Sequence, residues 1–364
     1  MNYMIAMSGG VDSSVSLYLT RKSLSADERL VGVTLALSEK NTVGEAADVK
    51  NIADAKSVCE NQGVEHTSLY AYPEFREAVI DYFTSSYMRG ETPNPCVICN
   101  REIKFGLLYD YAKKLGYDAV VTGHYVRRAV IGDYTYIRRA KDLKKDQSYV
   151  LAMLSQSQLS AARFPLGDYT KDEAREIAAE NGFVNAHRHD SQDICFIPDG
   201  DYVAFMKKLG IALPPEGNYL DESGAVIGKH KGHVNYTIGQ RKGLGISLGK
   251  HAFVISKDAE KNEIVLGDES GLYKKRVDVC GLNLPSDPKA LDGEIRVAAK
   301  LRYSHKPSPA VFTRVDETSG YLTFDEPQRA PTSGQFAVMY TPDAADNDDS
   351  VSSMACVLGG GRII

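Results

Sequence analysis

Two groups of residues in this sequence have the types and spacing to do chemistry. The first is Ala6-Met7-Ser8-Gly9-Gly10-Val11-Asp12-Ser13, with Ser14 after it. The apolar run Tyr3-Met4-Ile5-Ala6-Met7 reads as a buried strand. Val11, Val15, Tyr18 and Leu19 are spaced as one face of a helix. A strand, a glycine turn and a helix start together make an anion cradle. Gly9 and Gly10 reach backbone angles closed to other residues and let a ligand approach the main chain. The free N–H groups of the first helical turn, with the helix dipole, then favour a phosphate. The stretch lacks the lysine and the spacing of the Gly-x-x-x-x-Gly-Lys-Ser/Thr phosphate loop.

The second group is made of cysteines. The chain has six: Cys59, Cys96, Cys99, Cys195, Cys280 and Cys356. In a long chain expected to be cytosolic these are not a structural disulfide framework. Cys59, Cys280 and Cys356 lie in apolar patterns and read as core residues. Cys96 and Cys99 form a Cys-x-x-Cys in Thr92-Pro93-Asn94-Pro95-Cys96-Val97-Ile98-Cys99-Asn100, ahead of a helix expected from Arg101 to Leu115. That spacing suits reactive thiols or metal ligands. A structural zinc site wants four ligands, and no second pair is near in sequence. Cys195, between Ile194 and Phe196, is by default a core residue.

The elements that must position these groups alternate. Strands are expected at Leu30 to Leu37, Glu65 to Tyr70 and Asp118 to Thr122. Helices are expected at Ala46 to Asn61 and Phe75 to Tyr87. This alternation predicts an α/β unit with a doubly wound parallel sheet. Ligands of such sheets bind at the carboxyl ends of the strands, where Gly9, Leu35 and Gly123 fall. Val126 to Arg139 reads as a hairpin turning at Gly132-Asp133, and Thr170 to Glu173 as a capping box whose helix stops at Gly182. Beyond about residue 200 the pattern changes to a Gly-rich, strand-like segment and then to short strands parted by turns, which predicts a C-terminal β-barrel. The expected domains are 1–200, 208–270 and 273–364. Asp343 to Asp349 reads as an acidic, mobile loop.

At 364 residues the chain is long enough for two or three domains. No apolar stretch approaches the roughly 20 residues that span a bilayer, so a cytoplasmic protein without membrane contact is expected. Net charge is −5, but Ala225 to Lys257 and Ile295 to Val315 contain no acidic residue and several lysines and arginines. Two such windows favour a polyanionic partner.

The loop Ala6 to Ser13 resembles the signature of the PP-loop ATP pyrophosphatases, which split ATP between the α- and β-phosphates and transfer AMP. Further motifs follow in order: Asn94-Pro95 with Cys99-Asn100, Thr122-Gly123-His124-Tyr125, Lys145-Asp146-Gln147-Ser148-Tyr149, Asp190-Ser191 with Cys195-Phe196-Ile197, and Tyr236 to Gly243. Together, from Ala6 to Leu358-Gly359-Gly360-Gly361, they resemble the bacterial tRNA-specific 2-thiouridylases. That family replaces the 2-oxygen of the wobble uridine of tRNAs for Glu, Gln and Lys by sulfur.

The resemblance implies roles. Ala6, Met7, Ser8, Gly9, Gly10, Val11, Asp12, Ser13, Leu35 and Gly123 would contact ATP, and Asp12 would help hold magnesium. Cys195 would carry a persulfide supplied by a sulfur donor protein. Cys99 would free sulfide from it or resolve the intermediate through a transient Cys99–Cys195 disulfide. Asn94, Pro95 and Cys96 would line the pocket of the target base. His124, Lys145, Asp146, Gln147, Arg302, Tyr303 and Gln335 would meet tRNA. Many members carry an aspartate, a candidate general base, where this chain has Cys96. A thiol serves there only with a lowered pKa. Alternatively Cys96, Cys99 and Cys195 form a three-thiolate set for an iron–sulfur cluster; the persulfide route is preferred. Rival readings are a PP-loop synthetase acting on a small acid, which leaves Cys99 and Cys195 idle, and an RNA-binding protein with a relic loop.

Overall fold

The computed structural model describes residues 1–40, 43–186, 194–247, 251–285 and 292–364. Asp190, Ser191 and Lys250 lie outside the described residues. The N-terminal unit is built on five parallel strands, β1 (Tyr3–Ala6), β2 (Leu30–Ala36), β3 (Glu65–Tyr70), β4 (Ala119–Val121) and β7 (Ala162–Arg163), in the order β3-β2-β1-β4-β7. Tyr3 pairs with Leu30 on one side and Ala119 on the other. The chain therefore winds outward in both directions from β1. The gap above β1 and β4 is the switch point where such sheets hold ligands. Helix α1 (Val11–Ser23) packs on one face and α2 (Val43–Asn61) on the sheet near β2. Cys59 is fully buried, as its apolar pattern expects. A Cβ on Gly32 of β2 would stand 2.6 Å from its sulfur, so only glycine lets α2 lie this close.

The hairpin forms as expected: β5 (Arg127–Ile131) pairs with β6 (Tyr134–Arg138), and Gly132 takes φ +58° in the turn. The capping box also forms. Thr170 Oγ1 accepts from the Glu173 N–H at 3.2 Å, and Glu173 accepts from the Thr170 N–H at 2.6 Å. Two helices differ from expectation. The one expected from Phe75 begins at Tyr72. The one expected from Arg101 begins at Pro95, so Cys96 and Cys99 lie on the helix rather than ahead of it. Pro95 explains this, because proline suits the first helical position, where its missing N–H has no intrahelical partner to lose. Both helices widen into π-helix, over Arg76–Ile80 and Cys99–Leu107. Periodicity of apolar residues does not signal such widening.

The central unit is a four-stranded sheet, β10 (Phe253–Asp258), β11 (Glu263–Gly267), β8 (Gly217–Leu220) and β9 (Val226–His230). The C-terminal unit is a closed barrel of β12 (Tyr273–Asn283), β15 (Ser319–Arg329), β14 (Ser308–Arg314), β13 (Glu294–Lys300), β16 (Phe336–Tyr340) and β17 (Val357–Ile363). It shares a core with the N-terminal unit. Phe336, Val338, Tyr340, Ala355 and Val357 pack in one apolar cluster with Val97, Phe105, Val126, Tyr149 and Met153.

The acidic segment expected to be a mobile loop is part of this junction. It forms short helical turns at Pro342–Ala345 and Asp349–Ser352, and Ala344 is buried. The Ala344 and Ser352 carbonyls accept from Arg139, whose guanidinium also faces Asp146 at 3.4 Å, with the two side chains 7% and 1% exposed. Arg139→Met strands a buried carboxylate and removes these links. It is expected to destabilise the protein by about 3 kcal/mol, read as a lowered midpoint of urea unfolding.

Candidate active site

The anion cradle is built as its sequence requires. β1 ends at Ala6, Gly9 takes φ +70°, and Gly10 caps α1 without any side-chain hydrogen bond to the first-turn N–H groups. A Cβ on Gly9 would meet the Asn51 carbonyl at 2.8 Å. A Cβ on Gly123, at the end of β4, would stand 2.9 Å from the Asp12 and Ser13 backbone. The serines hold the turn. Ser13 Oγ donates to the Gly10 carbonyl at 2.9 Å and accepts from the Ser8 N–H at 3.2 Å. Asn185 Nδ2 donates to the Gly9 carbonyl and to Ser14 Oγ, both at 2.9 Å, while its Oδ1 is buried with no partner among the described residues.

Asp12 stands in the first turn of α1. Its Oδ1 accepts from Tyr125 Oη at 2.8 Å and from Lys171 Nζ at 2.7 Å. Its Oδ2 has no partner among the described residues. Magnesium in nucleotide sites takes one or two carboxylates and completes its shell with water and phosphate oxygens, so this carboxylate fits the ion. Lys171 is buried, opens the helix of the capping box, and puts a second cation beside the cradle. Sequence reading missed it; the capping box marks the helix start but not the direction of its first side chain.

The thiols form a second centre. Cys96 is exposed on the first turn of its helix; Cys99, one turn on, is buried beside Phe75, Val79, Ile80 and Ile103. Phe196 packs on the same cluster, with ring centroids 5.6 Å from Phe75, 5.5 Å from Phe83 and 5.3 Å from Phe205. This aromatic box fixes Cys195, which is exposed and not the core residue that its neighbours suggest. Leu35, at the end of β2, touches the Cys99 cluster as well as the core beneath the sheet. Phosphate cradle and thiols thus lie over the same carboxyl end of the sheet. Burial pushes the Cys99 thiol up to about 12; the protein packed around the surface residues Cys195 and Cys96 desolvates their thiols, raising Cys195 to about 11 and Cys96 in the same direction, and the Lys104 ammonium opposes this at all three. Cys96 is therefore no ready general base in this state. Among the described residues no group of three His, Cys, Asp or Glu side chains is placed to hold a metal ion.

The barrel reaches this centre. Gln335 Nε2 donates to the Thr92 carbonyl at 2.8 Å, the Thr92 N–H donates to the Ser333 carbonyl at 2.8 Å, and Arg362 pairs with Glu91 at 2.6 Å. The strand leading to Asn94, Pro95 and Cys96 is thereby held by the turn before β16. Thr92, Arg302, Tyr303, Ser304 and Gln335 line an open pocket of 270 Å³; Thr92 Oγ1 and Arg302 Nε are buried there without hydrogen-bond partners among the described residues.

Comparison with known proteins places this arrangement. Residues 1–199 match the tRNA methyl transferase HUP domain, 204–268 the tRNA methyl transferase PRC-barrel domain and 275–363 the aminomethyltransferase beta-barrel domain. A tRNA-specific 2-thiouridylase MnmA from Clostridioides difficile is 44% identical over 347 residues, 93% of this chain and 95% of that protein. One from Moorella thermoacetica is 42% identical over 97% of this chain and 99% of its own length. One from Treponema denticola is 40% identical over 94% and 95%. The chain belongs to the tRNA-specific 2-thiouridylase family.

Several residues expected to meet tRNA also have partners within the fold of this 2-thiouridylase. The Asp146 carboxylate is buried, accepting from Ser148 Oγ at 2.7 Å and the Ala140 N–H at 3.0 Å, and it shapes the loop between Lys145 and Gln147. Lys145 and Gln147 are half-buried, and Gln147 braces Tyr125 through both its side chain and its N–H. His124 is buried between Phe105 and Phe164, bonded to Thr122 at 2.8 Å. Burial, with Lys104 nearby, holds its imidazole well below the usual histidine range and hence neutral. The second basic window is largely spent internally. Arg296 pairs with Asp325 and Arg314 with Asp292, Lys300 is buried, and Arg302 donates to the Ile238 and Ala330 carbonyls. In the first window His230, His233 and Lys257 also serve the fold. Lys229, Lys231, Arg241 and Lys242 remain exposed.

Proposed function

We infer that this chain is a tRNA-uridine 2-sulfurtransferase that uses ATP, and that it acts through a cysteine persulfide. The observation that carries the reading is the shared end of the sheet: the cradle of Ser8 to Ser13 follows β1, and Leu35, at the same carboxyl end of the neighbouring β2, packs on the Cys99–Phe196 cluster. A uracil carbonyl oxygen is a poor leaving group. ATP bound in the cradle donates its α-phosphoryl group to that oxygen, and pyrophosphate leaves along the first-turn N–H groups of α1. Magnesium, held by Asp12 and the phosphates, would neutralise the departing charge. Lys171, anchored on Asp12, lies where that charge develops.

The terminal sulfur of a Cys195 persulfide then attacks C2 and AMP leaves with the old oxygen. The Cys99 thiolate attacks Cys195 Sγ, the Cys195–sulfane bond breaks, and the electron pair stays on the sulfur now bound to C2. The products are 2-thiouridine and a Cys99–Cys195 disulfide, which a dithiol reductant reopens. Asn94, Pro95 and Cys96 line the pocket of a uridine swung out of the anticodon stack, the wobble uridine of tRNAs for Glu, Gln and Lys. The cavity of Arg302, Tyr303 and Gln335 and the Lys145–Gln147 loop flank it. In this reading 1–200 is the catalytic unit, 208–270 faces tRNA and 273–364 is the bracing barrel, in a cytoplasmic enzyme served by a sulfur donor protein. No helix among the described residues is long and apolar enough to cross a membrane.

Nucleoside mass spectrometry of tRNA incubated with the protein, ATP, magnesium and a persulfide donor tests the reading. It expects 2-thiouridine together with AMP and pyrophosphate. Release of ADP and phosphate, or pyrophosphate release without tRNA, refutes it. tRNA binding is expected to weaken steeply with salt. Replacing Arg241 and Lys242 together should lower the slope of log K against log salt by about 1 per residue, equally for all cognate tRNAs; filter binding across a salt series measures it.

A further inference from the structure

The Cys99 helix contains an unusual length of wide helix. Cys99–Leu107 is bonded i to i+5, closed by the Leu108 N–H on the Ile103 carbonyl. In an α-helix a residue five positions on points about 140° away from the first. The i→i+5 bond brings it back above the first, and such wide turns cluster at functional sites. Here that residue is Lys104, five after Cys99. The wide turn also explains Gly106. A Cβ there would meet the Arg101 carbonyl, five residues back, at 3.0 Å.

Lys104 is half-buried, and its ammonium has no hydrogen-bond or ion-pair partner among the described residues. The nearest charged residues on its helix are occupied with each other: Arg101 Nε lies 2.6 Å from Glu102 Oε1. The groups that feel its charge are Cys96, Cys99, Cys195 and His124. His124 is neutral, so the thiols are what a cation there can serve.

Resting on the persulfide reading above, we propose that Lys104 is the counter-cation of sulfur transfer, carried onto the Cys99 face by the π-helix to stabilise the anionic Cys99 sulfur as it attacks Cys195 Sγ. A thiol in an apolar cluster is otherwise a poor nucleophile, since the thiolate is the reacting form. No oxidant is needed: the electron pair that leaves Cys195 stays on the transferred sulfur, and Lys104 keeps its proton. Lys104 acts through the thiols and is a positioning residue in this sense.

The test uses full-length wild type, Lys104→Met and Lys104→Arg, matched by thermal melts. Alkylation of Cys99 and Cys195 by iodoacetamide, without ATP or tRNA, is followed between pH 7 and 10 by peptide mass spectrometry. Cys59 and Cys356, whose thiols do not feel the Lys104 charge, serve as internal references in all three proteins. Lys104→Met is expected to slow Cys99 alkylation about tenfold at pH 8 and thiolation about 100-fold, with tRNA-dependent pyrophosphate release kept. Lys104→Arg should restore most of both. Unchanged Cys99 alkylation in Lys104→Met overturns the proposal whatever happens to thiolation, and so does an equal loss in the Met and Arg variants. Absence of pyrophosphate release by wild type overturns the functional reading instead and leaves the alkylation result to judge Lys104.

Discussion

Serine in place of Cys195 is expected to lower 2-thiouridine formation about a thousandfold or more, with tRNA-dependent pyrophosphate release kept within about twofold. The two steps use different atoms. Activation takes place at the cradle of Ser8 to Ser13, and Cys195 belongs to the separate thiol centre, next to Phe196 of the aromatic box. An exposed thiol exchanged for a hydroxyl disturbs no packing, so the fold is unaffected. For Cys99 the cleaner variant is alanine, because a hydroxyl in that apolar cluster adds a desolvation cost of about 1–3 kcal/mol. Cys280→Ser and Cys356→Ser should both thiolate normally. Nucleoside mass spectrometry beside a coupled pyrophosphate assay separates the outcomes, and full thiolation by the Cys195 variant removes the persulfide from the mechanism.

Asp12→Asn is expected to slow pyrophosphate release about 100-fold or more. Asparagine keeps an acceptor for Tyr125 Oη but gives up the charge that both a magnesium ion and Lys171 require. The loss is therefore electrostatic, not a collapse of the loop, whose Ser8, Ser13, Ser14 and Asn185 bonds do not involve that carboxylate. Activity at increasing magnesium checks the origin: partial recovery at high magnesium marks a weakened metal site. An unimpaired variant would leave Asp12 a mere fold contact.

Much of this was legible in sequence because local rules decide it. Glycines at 9 and 10, alternation of strand and helix, the turn at Gly132 and the box at Thr170 each depend on a few neighbouring residues. What was hidden depends on distant ones. Lys171 meets Asp12 across 159 positions, and no periodicity announces it. The π-helix that orients Lys104 has the composition of an ordinary amphipathic helix. The partners of Arg296 and Arg314 in the second basic window, Asp325 and Asp292, stand outside it and cannot be read from the window itself. Asp146 and His124 carry polar names but sit in the interior.

The common core of sheet and barrel has a consequence for anyone who would cut or recombine this protein. The boundaries that look natural along the chain are not the seams of the folded object. Excising the last ninety or so residues would expose one side of Val97 and Tyr149 and release Thr92, the residue from which the thiol helix is hung. A chimera that borrows a relative's barrel inherits that relative's grip on residues 91 to 93 and on Arg139, so those positions have to travel with it. The module least entangled in sequence is in this sense a jaw of the same tool.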